Sequence, residues 1–168
     1  MAITQFNLAA GQRAERKLLI TVAEWQESGS PVREVLGTRT EDSSIEYNAD
    51  ISTTTDILGN NYTDINRTQP QQDFDPYLVL GGSKLGAKLN DIRKRNALSE
   101  LNAFTMYIIT AFAGTDGAYE AEKHTDCTIT YNSFGGDSNV NFPISVYFSN
   151  KITNGTVDKL ADDFVFTS

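Results

Sequence analysis

Alternating apolar and polar positions run through most of the chain and predict strands. The segment from Lys17 to Trp25 places Leu18, Ile20 and Val22 on one face of an extended chain. A QESGSP connection follows, and VREVLG then predicts a short second strand. A hairpin is therefore expected near the start of the domain.

The clearest alternation runs from Ser43 to Thr55 and predicts one strand with a packed face and a wet, acidic face. The packed face is expected to hold Ile45, Tyr47, Ala49 and Ile51, and the wet face Glu46, Asn48, Asp50 and Ser52.

A polar hairpin is predicted directly after this strand. The sequence GNN follows Asp56-Ile57-Leu58 and is typical of a turn, because Gly and Asn tolerate positive φ. The segment from Tyr62 to Gln69 predicts a return strand that is mostly polar on both faces. Such a hairpin can project from the core and needs a partner to bury its edges.

One stretch, from Ser83 to Leu101, has the period of an amphipathic helix. Leu85, Leu89, Ile92 and Asn96 fall along one stripe. The preceding GGSK lacks the spacing of a phosphate-binding loop, so its expected role is to start the helix. The RKR cluster near the end predicts a solvated helix end, where cations favour the dipole.

The segment from Phe104 to Phe112 is apolar on both faces, which predicts a central strand or one lying against a partner chain. One face holds Phe104, Met106, Ile108 and Phe112, and the other holds Tyr107, Ile109 and Ala111.

Two further alternating segments, Cys127 to Tyr131 and Ile144 to Phe148, flank the turn sequence FGGDSN. A hairpin is predicted there, with Gly135, Gly136 and Asp137 in the turn that sets its register. The whole pattern predicts an α+β chain, mainly an antiparallel β-sandwich or barrel with one flanking helix. Residues 1–16 are expected to form a flexible N-terminal arm, and residues 17–168 a single domain.

The acidic net charge of the chain limits the ways in which it could interact with nucleic acids. The chain has 168 residues and a formal net charge of −8, so its surface should repel nucleic acid phosphates. That argues against coating DNA but allows DNA to pass without sticking. No signal peptide or bilayer-spanning run is recognised, so folding in a cytoplasm is expected.

Candidate chemistry is sparse. In KHTDC, strand geometry puts His124 and Asp126 on one face and Cys127 on the other, which disfavours a Cys–His nucleophile pair. The acidic residues are scattered, which predicts no metal site. We therefore expect no catalytic, cofactor-binding or metal-binding residues and no enzymatic activity. An acidic β domain with an arm and a projecting hairpin fits a self-assembling subunit.

Several segments, in order, resemble the major tail tube proteins of long-tailed phages and prophages of Gram-positive bacteria. They are REVLGTRTEDSSIEYN, TTTDILGNNYTDINRTQPQQDFDP, LNDIRKRNAL and AYEAEKHTDCTITYNSFGGDSNVNFPISVYFSNKITNGTVD, which lie between about residue 17 and residue 160. The stretch before Lys17 is longer than the resemblance predicts.

The resemblance implies a β-sandwich with a flanking helix that forms hexameric rings stacked head to tail. The rings would enclose a channel for double-stranded DNA during ejection. Implied partners are copies of the chain itself and the tail tip or baseplate, terminator and tape-measure proteins, without a membrane or a cofactor. The implied location is the virion tail, assembled in the host bacterial cytoplasm.

Specific residues follow as hypotheses from this resemblance. Glu46 and Asp50 are candidates for the channel wall. The candidate inter-subunit or inter-ring hairpin holds Asp56, Asn60, Asn61, Tyr62 and Asp64. The candidate strand shared by core and ring interface holds Phe104, Met106, Ile108 and Phe112.

Other functions remain open from the sequence. A tail-completion or baseplate ring protein, or the inner tube of a contractile tail or phage-like bacteriocin, would share the fold. A monomeric carbohydrate- or peptide-binding β-sandwich would share the composition, although the lone Trp25 falls within a predicted strand.

Overall fold

The computed structural model describes residues 3–168, so residues 1 and 2 of the predicted arm lie outside the described residues. One α-helix, α1 (Lys84–Arg95), and 3₁₀ turns at Arg16–Leu18 and Leu98–Asn102 occur in the described chain. The strands are β1 (Leu19–Glu27), β2 (Ser30–Val35), β3 (Ile45–Glu46), β4 (Asp50–Thr55), β5 (Asn61–Arg67), β6 (Gln71–Phe74), β7 (Phe104–Thr115), β8 (Ala118–Tyr131), β9 (Ile144–Tyr147), β10 (Ile152–Val157) and β11 (Phe166–Thr167).

Antiparallel pairing joins nine of these strands into one sheet, in the order β2-β1-β7-β8-β9-β6-β3. Strand β10 pairs with the first part of β8, and β11 pairs with β10. The second part of β8 pairs with β9. The predicted α+β class, mainly antiparallel with one flanking helix, is confirmed.

A bulge in β8 lets the two parts of the sheet enclose a core. Asp126 has a φ of 56°, and the register with β7 shifts between the Phe104–Cys127 and Met106–His124 pairs. The main core contains side chains from both parts of the sheet and from α1. They include Ala23, Trp25, Phe74, Leu85, Leu89, Ile92, Phe104, Met106, Ile108, Ile129, Ile144 and Val146.

Helix α1 buries the predicted stripe of Leu85, Leu89 and Ile92 but is shorter than predicted. It ends at Arg95 because Asn96 adopts the left-handed conformation, with φ 54°. The prediction that Asn96 continues the stripe, and the helix to Leu101, is therefore wrong.

The start of α1 explains the GGSK sequence. The hydroxyl of Ser83 accepts a hydrogen bond from the Gly86 amide at 3.2 Å. The Glu34 carboxylate of β2 accepts from the Lys84 and Leu85 amides at 2.5 and 2.9 Å. The chain's own carboxylate thus occupies the anion position of this helix, and GGSK starts the helix as predicted.

Strand β7 is central, as predicted, with β1 on one side and β8 on the other. Phe104, Met106 and Ile108 lie in the main core, at most 5% exposed. Tyr107 and Ile109 face a second cluster, covered by Leu160, Phe164 and Phe166 of the C-terminal segment. Both faces of β7 are therefore packed within one chain.

The predicted continuous strand from Ser43 to Thr55 is wrong. Strand β3 contains only Ile45–Glu46, and Asn48 interrupts the extended run with a φ of 45°. Tyr47 and Ile51 are each 56% exposed, so the packed face is limited to Ile45. The chain leaves the sheet here and resumes as β4.

Strands β8 and β9 pair as predicted, but their connection is a long loop over residues 132–143. Gly135 and Asn141 form an isolated bridge within it. Gly136 has a φ of 131°, and a Cβ there would collide with the carbonyl oxygen of Asn139. Gly135, Gly136 and Asp137 lie in this connection, and their role in setting the register stays a prediction.

The N-terminal arm contacts the end of β7. The Asn7 amide donates to the Phe112 carbonyl at 2.9 Å, and its side chain donates to Ala111 and Gly114. The ring of Phe6 stands edge-on to that of Phe112, with centroids 5.3 Å apart. The half-buried Phe112 is thus covered by the arm; flexibility of the rest of the arm stays a prediction.

Candidate assembly surface

A projecting hairpin, formed by β4, β5 and the connection between them, is the most distinctive surface of the molecule. It forms a two-stranded sheet of its own. Its root is joined to the β3–β6 ribbon by the Gln69 amide, which donates to the Tyr47 carbonyl at 2.7 Å. The Asn48 side chain donates to the Gln69 carbonyl at 3.1 Å. The predicted projecting hairpin is confirmed.

Nearly all of this hairpin is exposed. Every residue of β5 is exposed, and in β4 only Ser52 is half-buried. A two-stranded ribbon with this little packing is marginal in water, so its edges and faces are available to another molecule.

The tip of the hairpin is apolar, which the sequence analysis did not recognise. Ile57 and Leu58 lie inside the turn and are 102% and 81% exposed. On one face of the ribbon, Ile51 pairs with Ile65, and they are 56% and 67% exposed. Isoleucines within a polar run are the available sequence signal, but the alternating pattern predicts a packed face for Ile51, which is wrong. The chain covers neither the apolar tip, Ile57 and Leu58, nor the apolar Ile51–Ile65 pair near the base of the hairpin.

Asp56 gives the tip a fixed shape. Its carboxylate accepts hydrogen bonds from the side chain and backbone amide of Asn60, at 3.0 and 2.9 Å. It also accepts from the Leu58 amide at 2.8 Å and the Tyr62 hydroxyl at 3.0 Å. These donors, the Asn60 side chain first, lower the pKa of Asp56 to about 2. Gly59, with φ 84°, completes the turn.

The five hairpin residues singled out from the sequence therefore have different positions. Asp56, Asn60 and Tyr62 belong to the internal network that shapes the tip. Asn61 accepts a hydrogen bond from the Thr55 hydroxyl at 2.7 Å, and Asp64 is exposed opposite Ser52. Asn60, Asn61, Tyr62 and Asp64 are exposed beside the apolar tip, and the predicted contact role of this hairpin stays a prediction.

The two channel-wall candidates lie on different elements. Glu46 belongs to the outer face of the sheet formed by β8, β9, β6 and β3. That face is polar, and its residues are Glu46, Gln71, Asp73, Thr128, Thr130, Ser145 and Tyr147. Asp50 lies at the base of the hairpin, 3.8 Å from the Arg67 guanidinium. The interpretation of one shared strand face is therefore wrong.

The KHTDC segment is packed rather than open. The bulge puts both His124 and Cys127 inside, so the expected opposite faces are wrong. The His124 ring nitrogens face the Ser149 carbonyl and the Glu122 carboxylate, at 3.3 and 3.1 Å. Burial raises the pKa of the Cys127 thiol, which disfavours a nucleophilic thiolate.

Among residues 3–168, no group of three or more His, Cys, Asp or Glu side chains is placed to hold a metal ion. The single α-helix of these residues, α1, has 12 residues and is too short to span a bilayer.

Comparisons with known proteins give matches only among solved structures. No family model matches the sequence, and the search of curated proteins gives no match. The PVC sheath–tube complex of an extracellular contractile injection system, in its extended state, contains a similar chain: 14% identity, TM-score 0.48, covering 88% of this chain and 95% of that one.

Two other similar structures come from the anti-feeding prophage, AFP. Its tube-terminating cap gives 16% identity and a TM-score of 0.49, covering 93% of this chain and 99% of the matched chain. Its baseplate, 6-fold symmetrised, gives 8% identity and a TM-score of 0.48, with 88% and 97% covered. Identities this low and superpositions this loose assign no function to the chain.

Proposed function

We propose that this chain is a structural subunit of a phage-type tail tube, which associates with its own copies into stacked hexameric rings around a channel. The observation that carries the proposal is the projecting hairpin with its exposed, shaped apolar tip. A free subunit leaves Ile57 and Leu58 in water, and assembly would bury them.

The energetics favour assembly through this hairpin. Burying one large aliphatic side chain contributes roughly 1.5–3 kcal/mol. The Asp56 network already fixes the tip, so little conformational entropy is lost on contact. The exposed Ile51–Ile65 pair adds a separate apolar site at the base of the ribbon, beyond the Thr53–Thr63 pair.

The channel proposal rests on charge. A net charge of −8 and the polar outer face carrying Glu46 would repel DNA phosphates at a channel wall. Double-stranded DNA would then pass without being held. We assign Glu46 and Asp50 to this wall, on the sheet face and the hairpin base respectively.

The proposed setting follows from the same function. The subunit would be assembled in the host bacterial cytoplasm and reside in the virion tail. Its partners would be its own copies and the tail tip or baseplate, terminator and tape-measure proteins. A tail-completion or baseplate ring protein, or the inner tube of a contractile tail or phage-like bacteriocin, would use the same surfaces in a different number of copies per particle.

A monomeric carbohydrate- or peptide-binding sandwich is the alternative from another class of function. Such a module would use an exposed tryptophan or tyrosine platform, and Tyr47, Tyr62 and Tyr147 are exposed in this chain. The sole tryptophan, Trp25, is 3% exposed and packs edge-on to Phe104, with ring centroids 6.2 Å apart.

A pair of matched variants tests the proposal. Leu58→Asp places a charge in the apolar tip and should abolish rings and tubes seen by electron microscopy. Leu98→Asp, at a 53% exposed site outside the hairpin, should leave assembly unchanged. Circular dichroism should show both variants folded. Normal assembly of the Leu58→Asp variant would refute the role of the hairpin.

A further inference from the structure

The hairpin leaves the main sheet at one end of strands β6 and β9. A second exposed apolar surface lies in the loops beyond the other end of these two strands. Strand β6 pairs with β3 and β9 at its Gln71 end, where the hairpin is rooted. Its opposite end is the Phe74–Ile144 pair, and the loops beyond that pair carry the second surface.

This second surface, the loop patch, consists of Val79, Leu80 and Val140, which are 46%, 37% and 48% exposed. The Val79 amide donates to the Val140 carbonyl at 3.0 Å and joins the two loops. The side chain of Asn141 accepts from the Tyr77 amide at 2.9 Å and reinforces the junction.

We infer that the loop patch binds the Ile57–Leu58 tip of a second copy of this chain. The inference rests on the proposed function and names the surface on which the hairpin acts. Two exposed apolar surfaces beyond opposite ends of the same strands allow a head-to-tail contact, which repeats from copy to copy.

A symmetric contact is the competing arrangement. Two hairpins packed on each other would bury both tips, close the assembly at a dimer and leave the loop patch in water. The head-to-tail contact instead covers both apolar surfaces of every interior copy. Both surfaces are fixed by hydrogen bonds within the chain, so the contact orders few groups.

Disulfide trapping between separately purified variants tests the inference. One protein carries Leu58→Cys and the other Val140→Cys, and both are mixed under mild oxidation. A disulfide requires Cα atoms within about 7 Å, so only a direct contact is trapped. The native Cys127 is buried, so wild-type protein should not cross-link.

The expected result is a cross-linked dimer containing one chain of each variant, formed only in the mixture. A single chain carrying both substitutions should give a ladder of higher oligomers. A control mixture of the Leu58→Cys and Leu98→Cys proteins should give no dimer. Cross-linking of Leu58→Cys protein with itself would overturn the inference in favour of symmetric hairpin packing.

Electron microscopy distinguishes failure of the loop-patch inference from failure of the proposed tube function. Tubes that form without the Leu58–Val140 cross-link would overturn the loop patch as the receiving surface and leave the proposed function standing. Absence of rings, tubes and cross-links at every protein concentration would overturn both.

Discussion

Single residues determine the conformation of two connections, the β8–β9 loop and the tip of the projecting hairpin. Gly135 and Gly136 are consecutive glycines, yet only Gly136 has a positive φ and no space for a Cβ. Asp56 reads as one more exposed acid, yet its carboxylate holds the hairpin tip together. Both segments were predictable from the sequence, but the importance of Gly136 and Asp56 was not. Their roles depend on contacts that exist only in the folded loops.

Gly136 should be sensitive to the smallest substitution. Gly136→Ala forces a collision with the Asn139 carbonyl and should lower the free energy of unfolding by about 1–3 kcal/mol. Gly135→Ala, which meets open space, is the matched control and should be close to neutral. Urea unfolding of both variants measures the difference, and equal stabilities would contradict the assigned loop geometry.

The hairpin tip should lose its order in acid. The pKa of Asp56 in the folded chain is about 2, below its ordinary value of 3.8. Its contribution to tip order is therefore complete above the ordinary value and is lost as the pH falls through about 2. NMR signals of the Leu58 and Asn60 amides should change together near that pH. Unchanged amide signals through the carboxyl titration would contradict the network.

Secondary-structure elements were predictable from the sequence where a single pattern of apolar and polar residues specifies them. Two polar strands around a turn predicted the hairpin, and a 3.6-residue stripe predicted α1. Prediction failed where the backbone departs from its pattern, at Asn48, Asn96 and Asp126, each with positive φ. Such departures interrupt strands and helices without changing the hydrophobic period, so the period alone does not reveal them.

The start of α1 depends on a carboxylate from another element. Glu34→Ala removes the acceptor of the Lys84 and Leu85 amides and should lower the free energy of unfolding by about 1–3 kcal/mol. Glu27→Ala removes an exposed acid from the end of β1 and serves as the control. Thermal unfolding of both variants measures the effect; a Glu34→Ala variant as stable as the control would exclude the capping role.

At the scale of the whole molecule, net charge and exposed surface are the properties that support the proposed function. The acidic balance was readable from composition, whereas the placement of Glu46 and Asp50 on separate elements was not. The apolar tip was not predictable in the same way, because the GNN turn signal leaves Ile57 and Leu58 at the end of a strand. In the structure, hydrogen bonds between Asp56 and Asn60 close the turn around these two side chains. Burial in the folded chain, not residue type, distinguishes core isoleucines such as Ile108 from Ile57.

Charge reversal at the proposed channel wall should make tubes retain DNA. The double variant Glu46→Lys, Asp50→Lys should assemble and bind double-stranded DNA with affinity that falls steeply as salt rises. Glu27→Lys with Glu41→Lys changes the net charge equally at other exposed acids and should not trap DNA in the channel. Nuclease protection of DNA in assembled tubes separates the two; equal protection would contradict the wall assignment.

Self-assembly is the central claim, and electron microscopy of the purified wild-type protein across a concentration series tests it most directly. We predict rings with a central hole at moderate concentration and stacked tubes as concentration rises, because each added copy covers one exposed hairpin tip. A monodisperse monomer at every concentration would contradict the proposal that this chain is a tube subunit.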